Sequence, residues 1–432
     1  MTADDVNRSA RRQAAVTVTG IGVVSPLGRK LDEFFDALVS GRRGLVRPEG
    51  DHPAAGWLAS AGIAPPIDAR EVLPPREGRG VDRFLLLALA AADDALTDAG
   101  IVVGQDVDPR RVSVVVSTGG GGLETFEQQS HRRLERGRPG VTPYLLPGML
   151  TNMAAARIAI KYGIRGYSSA ITTACSAGAQ SIAEGLRLIR GGQADVVVCG
   201  AAESPLHPTI ASAFDNARAL SEGWDDPAAA SRPFDRRRNG FVLGEGAAVL
   251  VVERAEHAAA RGASGYADLL GWGASTDAYH PTAPRPDGEG AADCMRLALE
   301  DAGLEPSDVD YVNAHGTGTK LGDVAETVAL HAVFGTRQPA VSSIKGATGH
   351  LLGASGALEA AATVLSVARG VLPPTVNLDD PDPACDLDHV RGSARPGPVR
   401  AALSNSFAFG GHNLSLLFGP AGSPGPGGVS AG

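Results

Sequence analysis

The sequence predicts an α/β fold built from two similar halves. Three observations lead there. Runs of β-branched residues of strand length alternate with Ala- and Leu-rich helical segments. The order of elements repeats along the 432 residues. Loops of small residues fall at equivalent strand ends of both repeats, where a site between the halves can form.

Residues 1–14 form a polar N-terminal extension without the apolar stretch of a signal peptide. Residues 15–24 (AVTVTGIGVV) and 112–117 (VSVVVS) read as strands, as do 195–200 (DVVVCG) and 247–253 (AAVLVVE). All are apolar runs bounded by turn residues, suited to a sheet covered on both faces. Residues 83–99 read as a helix. Residues 168–173 look strand-like and lead into a helix beginning near Ser176, which sets Ile182, Leu186 and Ile189 on one face.

The second half repeats this plan. Helix, DAG turn and strand at 88–118 return at 291–319, and the strand end, small-residue turn and Ala-rich helix of 171–192 return at 344–370. The halves are expected at 15–260 and 261–419, with a terminal strand at 414–418. The Gly-, Pro- and Ser-rich residues 420–432 are expected to be a disordered tail.

Composition excludes several functions. A net charge of −9 argues against a general nucleic-acid binder. Four cysteines without a CxxC pair give neither a disulfide framework nor a zinc site, and no metal is expected. No apolar run approaches the roughly 18–20 residues of a membrane span. These features suit a cytoplasmic enzyme.

Chemistry concentrates in four loops. Cys175 lies in TTACSAG at a strand-to-helix turn. Helix N–H groups and the positive end of the dipole favour a thiolate there. A buried structural cysteine is the other reading of this position, and the one that suits Cys199 and Cys294. His315, in NAHGTGTKLGD, ends a short strand and precedes the hydroxyls of Thr317 and Thr319. His350 lies in SIKGATGHLLGASG, where Lys345 can pair with Glu359 in the following helix. Phe409, in NSFAFGGHN, can gate an apolar tunnel beside glycine N–H groups able to hold an oxyanion. The glycine run 119–122 matches no phosphate-binding pattern.

Taken together and in this order, these motifs resemble an elongating β-ketoacyl synthase of the thiolase superfamily. The type is that of 3-oxoacyl-acyl-carrier-protein synthase II and the type II polyketide ketosynthases. RPFDRRRNGFVLGEGA at 232–247 adds to the likeness, which runs from residue 18 to 418. The resemblance implies a duplicated thiolase-like fold layered α-β-α-β-α, with two pseudo-symmetric halves. It implies that Cys175 takes an acyl group as a thioester, while His315 and His350 stabilise the enolate formed as a malonyl thioester loses CO2. It further implies that N–H groups of Cys175 and Phe409 form the oxyanion hole, with Phe409 as the gate. Thr317 and Thr319 would hold the pantetheine arm, and Lys345 and Glu359 would support the site.

The product would be a 3-oxoacyl chain two carbons longer, in fatty-acid or polyketide synthesis. No bound cofactor is implied, because phosphopantetheine arrives on an acyl carrier protein. Arg76, Arg79, Arg132 and Arg133 are candidates for docking that acidic partner, or else a solvated charged face. A homodimer, or a heterodimer with a ketosynthase-like chain-length subunit, is implied. The competing function is a non-catalytic or decarboxylase-only partner subunit, which the presence of Cys175 opposes. Three places depart from the family pattern: Asn239, where an acid is usual; Ala408, where glycine is frequent before the gate; and Glu222-Gly223, where some bacterial relatives offer the carrier protein a basic residue.

Overall fold

The computed structural model describes residues 14–74, 77–78 and 80–422. All but Ala14 of the N-terminal extension, and the tail from 423 onward, lie outside the described residues.

The first half contributes strands β1 (Val16–Val24), β2 (Val112–Ser117), β3 (Ser168–Ser169), β4 (Val196–Glu203) and β5 (Gly246–Arg254). The second contributes β6 (Ala267–Thr276), β7 (Tyr311–Asn313), β8 (Ala340–Ser342), β9 (Asp388–His389), β10 (Ala402–Ala408) and β11 (His412–Pro420). They form one sheet in the order β9-β8-β7-β10-β11-β6-β1-β5-β4-β2-β3. Each half thus reads third-second-fourth-fifth-first from its edge inward, with β9 added outside the second half. The pairing directions match as well. In both halves the second strand lies parallel to the third and fourth, and the fifth runs antiparallel to the fourth and first. The first strands join the halves through Thr17↔Asp268 and Val18↔Ala267. The chain is therefore a duplicated α/β unit.

Helices complete five layers. One outer face carries α1 (Arg83–Ala99) and α2 (Met153–Tyr162), the other α4 (Glu289–Ala302) and α5 (Lys320–Phe334). The pair α3 (Ala177–Arg190) and α6 (Ser355–Arg369) fills the centre. Residues Ser355 through Val367 of α6 are all buried, as expected of a helix surrounded by protein.

Small residues set the layer spacing. A Cβ at Gly22 of β1 would come within 1.9 Å of Ala91 O in α1, and one at Gly273 of β6 within 2.1 Å of Cys294 O in α4. The two halves thus pack their outer helices against their first strands by the same device. At the centre, a Cβ at Gly178 would meet Ala357 N at 2.8 Å, and one at Gly356 would meet Ala179 N at 3.0 Å. The two central helices cross backbone to backbone near their N-termini.

Several sequence expectations need correction. Only Ser168–Ser169 of the strand-like segment 168–173 pairs as a strand. The rest departs toward the Cys175 turn, with the Ile171 N–H donating to Ser117 Oγ instead of to a neighbouring strand. The last strand spans His412–Pro420, so Pro420 belongs to the sheet and not to the tail. The glycine-rich loop around Phe409 is the tip of a hairpin between β10 and β11.

Candidate active site

Cys175 is the middle residue of a 3-10 turn, Ala174–Ser176, that leads directly into α3. Ala174 adopts a φ of 48°, a left-handed conformation that costs an L-residue about 1–2 kcal/mol. This turn brings the thiol to the helix start. The side chain is 8% exposed, and Sγ lies 3.2 Å from His350 Nε2.

The second half supplies the surroundings. His350 follows the short helix Lys345–Thr348, and its N–H donates to Val242 O at 2.7 Å. On the far side of its ring, Nδ1 lies 2.8 Å from Ser355 Oγ at the start of α6. His315 follows β7. Its N–H donates to Glu326 Oε1 at 2.8 Å, and the Gly316 N–H donates to Oε2 of the same carboxylate at 2.7 Å. The two imidazoles meet edge to face, with ring centroids 5.5 Å apart. Lys345 Nζ donates to His315 O at 2.6 Å, lies 3.5 Å from His315 Nδ1, and pairs with Glu359 Oε1. Lys345 and Glu359 are both buried.

Burial governs the electrostatics. It holds both histidines well below the usual imidazole range, and the charge of Lys345 pushes the same way. Both rings are therefore neutral at pH 7. Burial also pushes the Cys175 thiol up to about 11, although Lys345 and the N–H groups of Phe409 and Cys175 favour the anion. The sequence expectation of a thiolate at a helix start fails in this resting site, because desolvation outweighs the helix end. Burial raises the Glu359 carboxyl while Lys345 lowers it, and raises that of Glu326 to about 7.

A cavity of about 480 Å³ opens onto these groups. Cys175, His315, His350, Thr317, Thr319 and Phe409 all line it. The Thr317 and Thr319 hydroxyls are 3.1 Å apart, and Thr319 also caps α5 by accepting the Gly322 N–H. The Phe409 ring lies 6.3 Å from that of Phe214, also on the wall. Gly410 and Gly411 follow it with φ of 85° and 72°. Ala408 stays within β10, so its β-carbon meets no backbone conflict. Asn239, also on the wall, forms no ion pair. It accepts from Ser221 Oγ and Trp224 Nε1 and donates to Glu222 O, tying down the loop beside the cavity.

The docking candidates separate from this site. Arg132 and Arg133 are exposed on the helix Leu123–Arg136 and do not line the cavity. Arg76 and Arg79 lie outside the described residues.

Sequence reasoning missed Glu326, described above, and four further contributors. Arg218 and Lys320 face the cavity as cations. Ser355 touches the far nitrogen of His350. Glu203, buried, accepts the N–H groups of Gly119, Gly120 and Gly353 and the hydroxyl of Thr118. Glu203 thereby ties a loop of the first half to the turn that follows His350. Only the positive charges were legible beforehand: the Glu203 partnerships span 83 to 150 residues, and that of Ser355, five residues from His350, depends on the fold of the turn between them.

Comparison with known proteins agrees with this geometry. Residues 13–258 match the family described as Beta-ketoacyl synthase, N-terminal domain, and residues 266–379 match Beta-ketoacyl synthase, C-terminal domain. The chain is 43% identical over 408 residues to 3-oxoacyl-acyl-carrier-protein synthase 2 of Synechocystis sp., covering 93% of this chain and 97% of the relative. Among solved structures, it resembles one chain of the complex described as a type II PKS acyl-carrier protein with its ketosynthase bound to the hexaketide. That likeness has a TM-score of 0.87 and 32% identity, over 94% of this chain and 100% of the other. The ishigamide ketosynthase/chain length factor matches with a TM-score of 0.87 and 35% identity, over 95% and 100% of the two chains. A thiol facing two neutral imidazoles, on a duplicated fold and with this degree of similarity, places the chain in the β-ketoacyl synthase family.

Proposed function

We propose that the chain is an elongating β-ketoacyl synthase, an acyltransferase that joins an acyl group held on Cys175 to malonyl-acyl carrier protein by decarboxylative Claisen condensation. The observation that carries this reading is the 3.2 Å approach of Cys175 Sγ to His350 Nε2 at a cavity also lined by His315.

In the first step Sγ attacks the carbonyl of an acyl thioester. The carrier's sulfur leaves and takes up the proton that Cys175 gives up. N–H groups of Cys175 and Phe409 hold the oxyanion that forms in between. A malonyl thioester then enters along Thr317 and Thr319. Its carboxylate leaves as CO2, and the electron pair of the broken C–C bond becomes an enolate. The neutral rings of His315 and His350 donate hydrogen bonds to the enolate oxygen. Lys345, a group with donors only, leaves His315 Nδ1 unprotonated and so places that ring's proton on Nε2. The enolate carbon attacks the acyl carbonyl, and the bond to Sγ breaks with its electron pair going to sulfur. The chain departs two carbons longer with a 3-oxo group, while the thiolate takes up a proton from solvent to restore the thiol. Phosphopantetheine arrives on the carrier protein, and the mechanism uses no other cofactor.

The divided fold suits this chemistry, with the nucleophile in a half spanning 15–260 and both histidines in a half spanning 261–419. Arg132, Arg133, Arg76 and Arg79 are proposed to steer the acidic carrier protein, joined by Arg218 and Lys320 on the cavity itself. The solved ketosynthase/chain length factor supports assembly with a chain-length subunit; a homodimer is the other assembly proposed. No helix among the described residues is long and apolar enough to cross a membrane, in keeping with a cytoplasmic site of action. The alternative, a partner subunit without condensing activity, leaves Cys175 and its alignment on His350 without a purpose.

Incubation with acyl- and malonyl-carrier protein, followed by intact-mass analysis, tests the proposal. Acylated Cys175 and a 3-oxoacyl product two carbons longer are expected. Absence of acylation in the wild type, or undiminished acylation of Cys175→Ala, overturns it.

A further inference from the structure

We infer that Ser355 is a positioning residue that fixes the tautomer of His350, so that His350 meets Cys175 and the incoming thioester as a hydrogen-bond donor. The inference rests on the proposed condensing function and names a residue that acts on the same site.

Ser355 is 2% exposed and opens the central helix α6. A serine hydroxyl carries one proton and two acceptor lone pairs. The Leu351 N–H occupies one lone pair, at 2.8 Å from Oγ. His350 Nδ1 lies at the same 2.8 Å on another side of the oxygen. Two arrangements fit these positions. In one, Nδ1 carries a proton and donates to Oγ. The hydroxyl proton is then buried with no acceptor among the described residues, an arrangement that native interiors avoid. In the other, the hydroxyl donates to Nδ1 and accepts from the Leu351 N–H, and only the thiol S–H, a much weaker donor than a hydroxyl, gives up Nε2 as its acceptor. The second arrangement puts the ring proton on Nε2, the nitrogen 3.2 Å from Cys175 Sγ.

The consequence is chemical. A neutral ring protonated at Nε2 cannot also accept the Cys175 proton there. His350 therefore stabilises negative charge on sulfur, or on the malonyl thioester oxygen, and does not serve as the base that ionises the thiol. The two histidines become equivalent donors through different devices. Lys345 faces Nδ1 of His315, and a neutral hydroxyl faces Nδ1 of His350. A hydroxyl holds the ring without adding a second cation to a buried site.

The test is nitrogen NMR on enzyme labelled with 15N-histidine, with His350 assigned by comparison with His350→Asn. In the wild type, Nδ1 of His350 is expected to show the shift of an unprotonated nitrogen and Nε2 that of a protonated one. A wild-type ring protonated at Nδ1 overturns the inference without any variant. In Ser355→Ala, a protonated Nδ1 is expected to appear, and kcat for malonyl-carrier decarboxylation is expected to fall several-fold with KM unchanged. Ser355→Thr, which keeps the hydroxyl, is expected to restore the wild-type tautomer. An unchanged tautomer in folded Ser355→Ala also overturns it. Condensation by the wild type is measured in parallel. Its absence would refute the proposed function, whereas a Nδ1-protonated ring in a condensing enzyme would refute only the role of Ser355.

Discussion

Ala174 and Leu352 hold the same left-handed backbone conformation at matching places in the two halves, with φ of 48° and 46°. Each is the first residue of a 3-10 turn that leads into a central helix: Ala174–Ser176 before α3, and Leu352–Ala354 before α6. The strain belongs to the duplicated framework and is not confined to the Cys175 loop.

Substitution at Ala174 should expose that strain. Ala174→Gly is expected to keep stability within about 1 kcal/mol of wild type, because relief of the left-handed penalty offsets glycine's greater freedom when unfolded. Ala174→Val should lose about 2–3 kcal/mol, since a β-branched residue tolerates positive φ poorly, and should slow acylation of Cys175. Thermal denaturation compares the two variants. Equal stability would refute the argument.

The reactivity of the thiol should follow pH steeply. Because burial pushes Cys175 up to about 11, only a small thiolate fraction exists at pH 7. That fraction grows about tenfold for each unit of pH until the pKa is approached. The rate of alkylation by iodoacetamide should climb accordingly between pH 7 and 10. Lys345→Met removes a cation that favours the anion, so it should shift the profile to higher pH and slow alkylation at any fixed pH within this range. A plateau starting near pH 8 in the wild type would contradict the assignment.

Decarboxylation should respond differently. His315 and His350 sit well below the usual imidazole range, so both are already neutral at pH 6 and stay neutral on going to pH 8. Malonyl decarboxylation by Cys175→Gln, which lacks the thiol, should therefore be nearly flat across that interval. Replacing His350 with Asn in the same background should lower the rate by about 10²–10³-fold, the usual effect of removing one preorganised donor. A sigmoidal rise centred near pH 6.5 would show that a ring must lose a proton first.

The buried pair of Lys345 and Glu359 should resist single substitution. Glu359→Gln leaves the Lys345 ammonium without its anionic partner and is expected to cost about 3–5 kcal/mol. The double variant Lys345→Met with Glu359→Leu should recover much of that stability, while decarboxylation stays impaired because His315 loses its ammonium neighbour. Chemical denaturation and single-turnover decarboxylation separate the two effects. A double variant no more stable than Glu359→Gln would count against the reading.

Local signals account for what was legible in advance. The helix α1 was read with its observed limits because Asp82 caps it through the Phe84 N–H and Gly100 ends it at φ 60°. Strand β2 was read with its limits because valine fills it. Strands β6 and β10 were missed, since Asp, Gly and Ser residues dilute their apolar pattern and only pairing with neighbours makes them strands. Cys175, His315 and His350 stood out by motif, whereas Ser355 and Glu203 did not. Ser355 takes its importance from the direction of a buried hydroxyl, and Glu203 from backbone N–H groups 150 residues away at Gly353. The thiolate expectation failed for a related reason: desolvation depends on the assembled surroundings and not on the helix start alone.

In the second half, Gly353 occupies the place that Cys175 holds in the first, as the middle residue of the corresponding 3-10 turn. It has no room for any side chain, because a Cβ there would come within 2.5 Å of Gly119 N and 2.6 Å of Glu203 Oε2. Duplication produced two apices, and packing has closed one of them. Each chain therefore offers a single covalent station, with an expected loading of one acyl group per chain. Loading and extension must then share one sulfur and occur in series.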